Sequence, residues 1–152
     1  MGCSRRKTAD LPQFPAVPVE PPRVVLFLHS ADYDRLHQGL AIGAAATALG
    51  RQVELYFFWW ALERLLDGRL DEPDFHPPRP DVSDRFEAKG LPTARELLAH
   101  LRGSGRCVVA ACTGSLAALG RDASQAAAHV DQVLGWAAIL QRTAGVVDRF
   151  YL

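Results

Sequence analysis

The sequence predicts an α/β fold, a single-domain three-layer sandwich on a mainly parallel sheet of about four to five strands. Two observations carry this. Short unbroken apolar runs, of the kind covered on both faces, alternate along the chain with stretches of helical spacing. The length of 152 residues, with 49% hydrophobic against 22% charged residues, suits one domain able to bury a core.

The elements follow in order. Residues 1–22 read as a disordered or extended arm, with prolines at 12, 15, 18, 21 and 22 and a basic cluster, Arg5-Arg6-Lys7. The α/β domain occupies 23–152 and opens on a buried strand, Val24 to Leu28. A helix follows, with Leu36, Leu40, Ala44, Thr47 and Ala48 near one face. Asp32 or Asp34 suits its first turn and Gly50 its stop. Small residues around Ala44 to Ala46 predict a close approach to the sheet or to another subunit. A second strand covers Val53 to Phe58, and a short helix runs from Trp59 to Leu66 and stops near Gly68.

Residues 68–92 are crowded with Pro, Gly and Asp and read as a long excursion with one helical turn, the kind of loop that often carries function. Thr93 and Glu96 have capping-box spacing, and Leu97, Leu98 and Leu101 give the helix they start its apolar side. The run RCVVAAC is the third strand, with a small-residue helix start at Thr113 to Gly120. A helix over His129 to Thr143 and a last strand over Val146 to Leu152 complete the expectation.

Charge and cysteine content narrow the function classes. Lys plus Arg and Asp plus Glu both number 17, so the chain lacks the basic excess of a nucleic-acid binder, and no nucleic-acid partner is expected. Net neutrality leaves self-association unopposed. No stretch approaches the ~20 apolar residues that span a bilayer, so no membrane partner is expected. Three cysteines cannot all pair within one chain, which fits a reducing, cytoplasmic location. The opening MGCSRR carries Arg6 where N-myristoylation wants Ser or Thr. No apolar segment precedes Cys3, so a cleaved signal is not expected either.

Ligands of such sheets gather at the carboxyl ends of the strands. Three loops meet that edge: His29 to Asp34, Phe58 to Trp60, and Ala111 to Ser115. The binding residues they offer are His29, Ser30, Tyr33, Trp59, Trp60, Thr113, Gly114 and Ser115, with Tyr33, Trp59 and Trp60 as pocket walls. Cys112 has two readings. A strand-to-helix turn favours thiolate over thiol and so a reactive sulfur, whereas an unpaired cysteine is equally a small apolar filler. His29 has two as well, a proton-handling neighbour of Cys112 or a strand-end histidine bonded to backbone. Cys107 reads as core, on the sheet face opposite Cys112, with no CxxC between them. His29, Asp32, Asp34 and His37 lack a converging second ligand pair, so no metal is expected. No GxGxxG, P-loop or Ser nucleophile elbow occurs, and no cofactor is expected.

One resemblance draws these residues together. RVVLFLHSADYDRLHQGLAIGAAATALGRQVELYFFWWAL resembles the opening half of DsrE/DsrF-like proteins, with a first strand, an alanine-rich helix, AxxLG and a second strand ending in aromatics. VVAACTGSLAALG resembles the segment of that family that holds its sulfur-carrying cysteine, and DQVLGWAAIL before a short last strand fits too. The resemblance covers residues 23–152. It implies a subunit that forms homotrimers or homohexamers. In the sulfur-relay branch, such proteins accept sulfane sulfur from a donor protein as a cysteine persulfide and pass it to an acceptor protein. Cys112 alone carries over, which implies a cytoplasmic sulfur carrier or sulfurtransferase-like protein. The alternative is a non-catalytic homo-oligomer that binds a small ligand or partner at the strand-end pocket. A thiol oxidoreductase or peroxidase is disfavoured by the lack of an evident resolving cysteine.

Overall fold

Buried apolar strands must satisfy their backbone N–H and C=O groups against one another. In the computed structural model, which describes residues 22–75 and 77–152, five strands do so as one all-parallel sheet. The arm expected over 1–22 therefore lies outside the described residues except for Pro22, as does His76 of the excursion. Strand β1 (Val24–Leu28) leads to α1 (Tyr33–Ala48), then β2 (Val53–Phe57) and α2 (Trp59–Leu66). Helices α3 (Pro80–Ala88) and α4 (Ala94–Gly103) precede β3 (Cys107–Cys112). Then come α5 (Thr113–Ala118), α6 (Ala123–Ala126), β4 (Gln132–Leu134), α7 (Trp136–Arg142) and β5 (Asp148–Tyr151).

The strand order is β4-β3-β2-β1-β5. From β1 to β4 the chain steps in one direction, so right-handed crossovers lay their helices on one face. The last crossover runs back past β1 to β5, which puts its helix on the other face. The packing agrees. Leu36 and Leu40 of α1, Leu62 of α2, Leu98 and Leu101 of α4 and Leu116 of α5 share a core with Val24, Leu26, Leu28, Leu55, Phe57 and Val109. Opposite, Ile139 of α7 packs with Val25, Phe27, Tyr56, Phe58, Ala110 and Cys112. The layers are three but uneven, since the seven-residue α7 is the main cover of the second face.

Helix α1 packs on the sheet-side core through Ala46, with Ala44 partly buried against it, and leaves little room for a side chain at Gly39. A Cβ on Gly39 would stand 2.5 Å from Leu28 Cδ2 and 2.9 Å from Leu152 Cδ1. Gly50, at φ 78°, ends the helix in the left-handed conformation expected of it. The Thr93–Glu96 capping box forms in both directions at the start of α4. On the second face, the buried Glu54 accepts hydrogen bonds from Arg23 at 3.1 Å, Arg142 of α7 at 3.2 Å and the Tyr56 hydroxyl at 2.6 Å. Burial first, then the Glu54 carboxylate, raises the Tyr56 hydroxyl's pKa.

Three expectations are corrected. Residues 129–143 form no single helix: Gln132–Leu134 is the strand β4, beside β3, and α7 starts only at Trp136. The Asp131 carboxylate accepts from Val109 N, and Asp131 N donates to Val109 O, which docks the strand before its first pair. A three-residue strand is too short to show a period of two. The excursion holds more than one turn, since α3 spans nine residues. Pro80 at its first position and the Asp81–Arg85 pair one turn apart support it. None of its residues is fully buried, so it leaves no apolar stripe in the sequence. The second and last strands are also shorter than expected, ending at Phe57 and covering Asp148–Tyr151.

The excursion is tied down by one buried cation. Arg64 of α2 is 3% exposed; it donates to Arg69 O at 2.9 Å, to Ala31 O, to Glu72 O and to the Asp74 carboxylate. No described helix is long and apolar enough to cross a membrane.

Candidate functional site

In open parallel sheets the crevice forms where strand order reverses, outside the carboxyl ends of the two strands that diverge there. Here the reversal falls between β1 and β5, because crossovers leave β1 toward β2 and return on its other side. A cleft of about 500 Å³ opens at that place. It is lined by Phe27, His29 and Ser30 from the end of β1, Tyr151 and Leu152 from the end of β5, Arg35 of α1, Phe58 and Trp59 after β2, and Trp136 of α7. Its size lies within the range usual for small-molecule sites.

The floor of this edge is a row of rings. Tyr151 stacks on Phe27 with centroids 4.7 Å apart and planes 9° apart. Phe27 lies 6.0 Å from Phe58, and Phe58 stacks on Trp136 at 4.8 Å and 18°. Parallel stacking at these distances is favourable beyond the area it buries. The row runs from β5 across β1 and β2 to α7. Its inner members, Phe27 and Phe58, are buried, while Trp136 and Tyr151 are 53% and 69% exposed.

Trp59 completes the wall under strain. Its φ of 42° makes it the one non-glycine residue with positive φ among those described. For a bulky side chain that conformation is an outlier of the kind that collects at functional sites. It arises because the chain turns from extended Phe58 directly into α2.

The polar groups of the cleft are few. His29 N and Ser30 N donate to Leu152 O at 2.6 and 3.3 Å, which pins the end of β5 to the end of β1. Ser30 Oγ accepts from Asp32 N at 3.1 Å and keeps its own proton to donate. Arg35 lies 3.5 Å from the Asp32 carboxylate, with its side chain 60% exposed.

Of the residues expected at the site, His29, Ser30 and Trp59 meet in this cleft. Trp60 is half exposed beside Trp59, at 6.0 Å between rings, and does not line it. Tyr33 departs from expectation. It is buried, its ring meets Phe75 and Phe86 edge-on, and it lines a separate cleft of about 400 Å³ with Asp71, Thr93, Glu96 and the excursion. Burial raises its hydroxyl pKa. As the first residue of α1, three positions after Ser30, Tyr33 points to the helix-rich face.

Cys112 ends β3 and is the N-cap residue of α5. It is 3% exposed and belongs to the second face, with Phe58 and Ile139. Cys107 lies against the first, so the two thiols are on opposite faces. Burial, reinforced by Asp131, pushes the Cys107 thiol up to about 12. Phe57 pairs with Ala111 and Cys112 with Leu134, so the Phe58–Trp136 stack spans the end of β3 on the side Cys112 faces. Thr113 and Gly114 are exposed, while Ser115 is buried. A Cβ on Gly114 would lie 3.8 Å from Cys112 Sγ, and one on Gly135 3.4 Å from Thr113 Oγ1. These residues border the thiol and not the cleft.

Phe27, Arg35, Trp136, Tyr151 and Leu152 are cleft residues that sequence reasoning did not assign to the site, and Phe58 entered only as the start of a candidate loop. Trp136 was hidden inside the expected helix over 129–143. Tyr151 needed only the step from a last strand to its place in the parallel sheet, beyond β1. Among the described residues, no three His, Cys, Asp or Glu side chains stand together as metal ligands would. No family model matches this chain, and no curated protein is significantly similar to it.

Proposed function

We propose that this chain is a DsrE/DsrF-like protein that works at the carboxyl edge of its sheet by binding a small ligand in the cleft between β1 and β5. The observation that carries this is the coincidence of the cleft with the strand-order reversal. The aromatic row and the strained Trp59 support it further. Assembly into homotrimers or homohexamers in the cytoplasm belongs to the same reading, supported by the resemblance and by the exposed Trp60, Leu140 and Val147. Fragment screening by protein-observed NMR tests the site. Fragments that shift the Trp59 and Trp136 indole resonances together support it, and hits confined to the Tyr33 cleft overturn it. Light scattering on the eluting full chain tests the assembly, and a monomer at all concentrations overturns it.

A second reading makes Cys112 a sulfur carrier, with donor and acceptor proteins as partners. The observation that favours it is the position of Cys112 at the same sheet edge, behind the Phe58–Trp136 stack. In this reading the thiolate attacks the outer sulfur of a donor persulfide. A new S–S bond forms on Cys112, the donor leaves as its thiolate, and an acceptor thiolate later removes the same sulfur atom. At 3% exposure, the thiol reacts only when a local opening uncovers it. Intact-protein mass spectrometry after incubation with a persulfide donor reads a gain of one sulfur, absent in Cys112→Ala. No gain under conditions that load a control carrier overturns this reading and leaves the first standing.

A further inference from the structure

Resting on the reading of the β1–β5 cleft as a binding site, we infer that its ligand is a flat aromatic or heteroaromatic ring bearing a hydrogen-bond-accepting group. The walls decide the first half. Five of the nine lining residues are Phe27, Phe58, Trp59, Trp136 and Tyr151, and the two most exposed of these five, Trp136 and Tyr151, terminate the aromatic row. Trp136 and Tyr151, exposed and each already stacked on a buried neighbour, accept another ring by the same contact. A saturated ligand of equal size would bury area but gain no stacking.

The polar groups decide the second half. The Ser30 hydroxyl, its oxygen already used by Asp32 N, has a proton to give, and the Arg35 guanidinium, which faces the Asp32 carboxylate through Nε, has further N–H groups that can only donate. No Asp or Glu side chain lines the cleft. The substituent that satisfies these donors is a carbonyl, carboxylate or phosphoryl oxygen. The strain at Trp59 is an independent sign, because it holds one of the five aromatic walls where relaxed backbone would not.

Titration calorimetry on the full-length chain with 2-naphthoate and with its saturated counterpart, decahydronaphthalene-2-carboxylate, separates the possibilities. Naphthoate is expected to bind about tenfold more tightly than the saturated acid and to lose about tenfold on Trp136→Leu, with Tyr33→Phe as an unaffected control in the other cleft. Arg35→Ala weakens naphthoate but not 2-naphthylamine, which offers no oxygen acceptor. Equal binding of both acids, still sensitive to Trp136→Leu, overturns the aromatic class and spares the cleft. If neither acid binds at about 10 mM, or binding ignores Trp136, the cleft reading falls with it.

Discussion

The rings of Phe58 and Trp136 stack 4.8 Å apart and join the end of β2 to the start of α7 across the end of β3. That contact links the two candidate sites, because both rings line the cleft and Phe58 belongs to the same packed cluster as Cys112. Removing the indole is expected to open the thiol. In a Cys3→Ser background, Trp136→Ala raises the rate of Cys112 alkylation in the folded chain by about tenfold or more, because labelling then no longer waits for local opening. Cys107, pushed up to about 12, stays unlabelled near neutral pH in both proteins. Peptide mapping after timed alkylation makes the measurement. An unchanged rate at Cys112 would show that something other than the stack covers it.

Of the two α1 glycines that face the core, Gly39 leaves the less room for a side chain. The atoms in the way belong to Leu28, itself wholly buried, and to Leu152 beside the cleft. Gly39→Leu is expected to cost about 1–3 kcal/mol by overpacking, seen as a lower urea midpoint. Gly43→Ala is expected to cost less, since its nearest neighbours stand 3.3 Å away at the ends of Leu101.

Arg64 links α2, the β1–α1 turn and the excursion through one guanidinium. Arg64→Ala strands the carbonyls of Ala31 and Glu72 and is expected to cost about 2–3 kcal/mol. The loss is local as well as global, so limited proteolysis should cut first between residues 68 and 92. Cleavage sites distributed as in the wild type would contradict this role.

Acid should loosen the same region. Burial raises the Asp71 carboxyl, but donation from Arg95 outweighs it and the group lies below its usual range. Hydrogen bonds from Arg69 lower Glu72, and those from Arg79 hold Asp81 at about 2. Groups lowered in the folded state contribute fully above their unfolded values near 4 and lose that contribution as pH falls through the folded ones. Hydrogen exchange across residues 68–92 is therefore expected to rise relative to the sheet between about pH 4 and 2. Parallel changes in the excursion and in β1–β3 would refute it.

The particular residues show why some of this architecture was legible in sequence. VVLFL and CVVAAC announce strands because both their faces are buried, and Thr93 with Glu96 announces a helix because the capping contact is local. What was hidden is what depends on distant partners. Gln132–Leu134 is a strand because β3 offers it an edge, and Tyr33 turns from Trp59 because α1 buries that side against Phe75 and Phe86. The cleft itself needs the order of the strands. His29 and Trp59 could be placed at the carboxyl edge from strand ends alone, whereas Tyr151 and Trp136 reach it only through the final crossover.

That crossover also sets a timetable. Val24 pairs with Asp148, and Phe27 with Tyr151, so the first strand waits for nearly the last residues of the chain before its second edge is filled. Closing so long a loop is entropically late. A ribosome-bound chain that has emitted β1 to β4 can fold its helix-rich face while still lacking Tyr151, Leu152 and hence a cleft. Ligand competence is thus a property acquired only once β5 has emerged and paired, and until then a nascent chain offers a bare β1 edge to whatever chaperone meets it first.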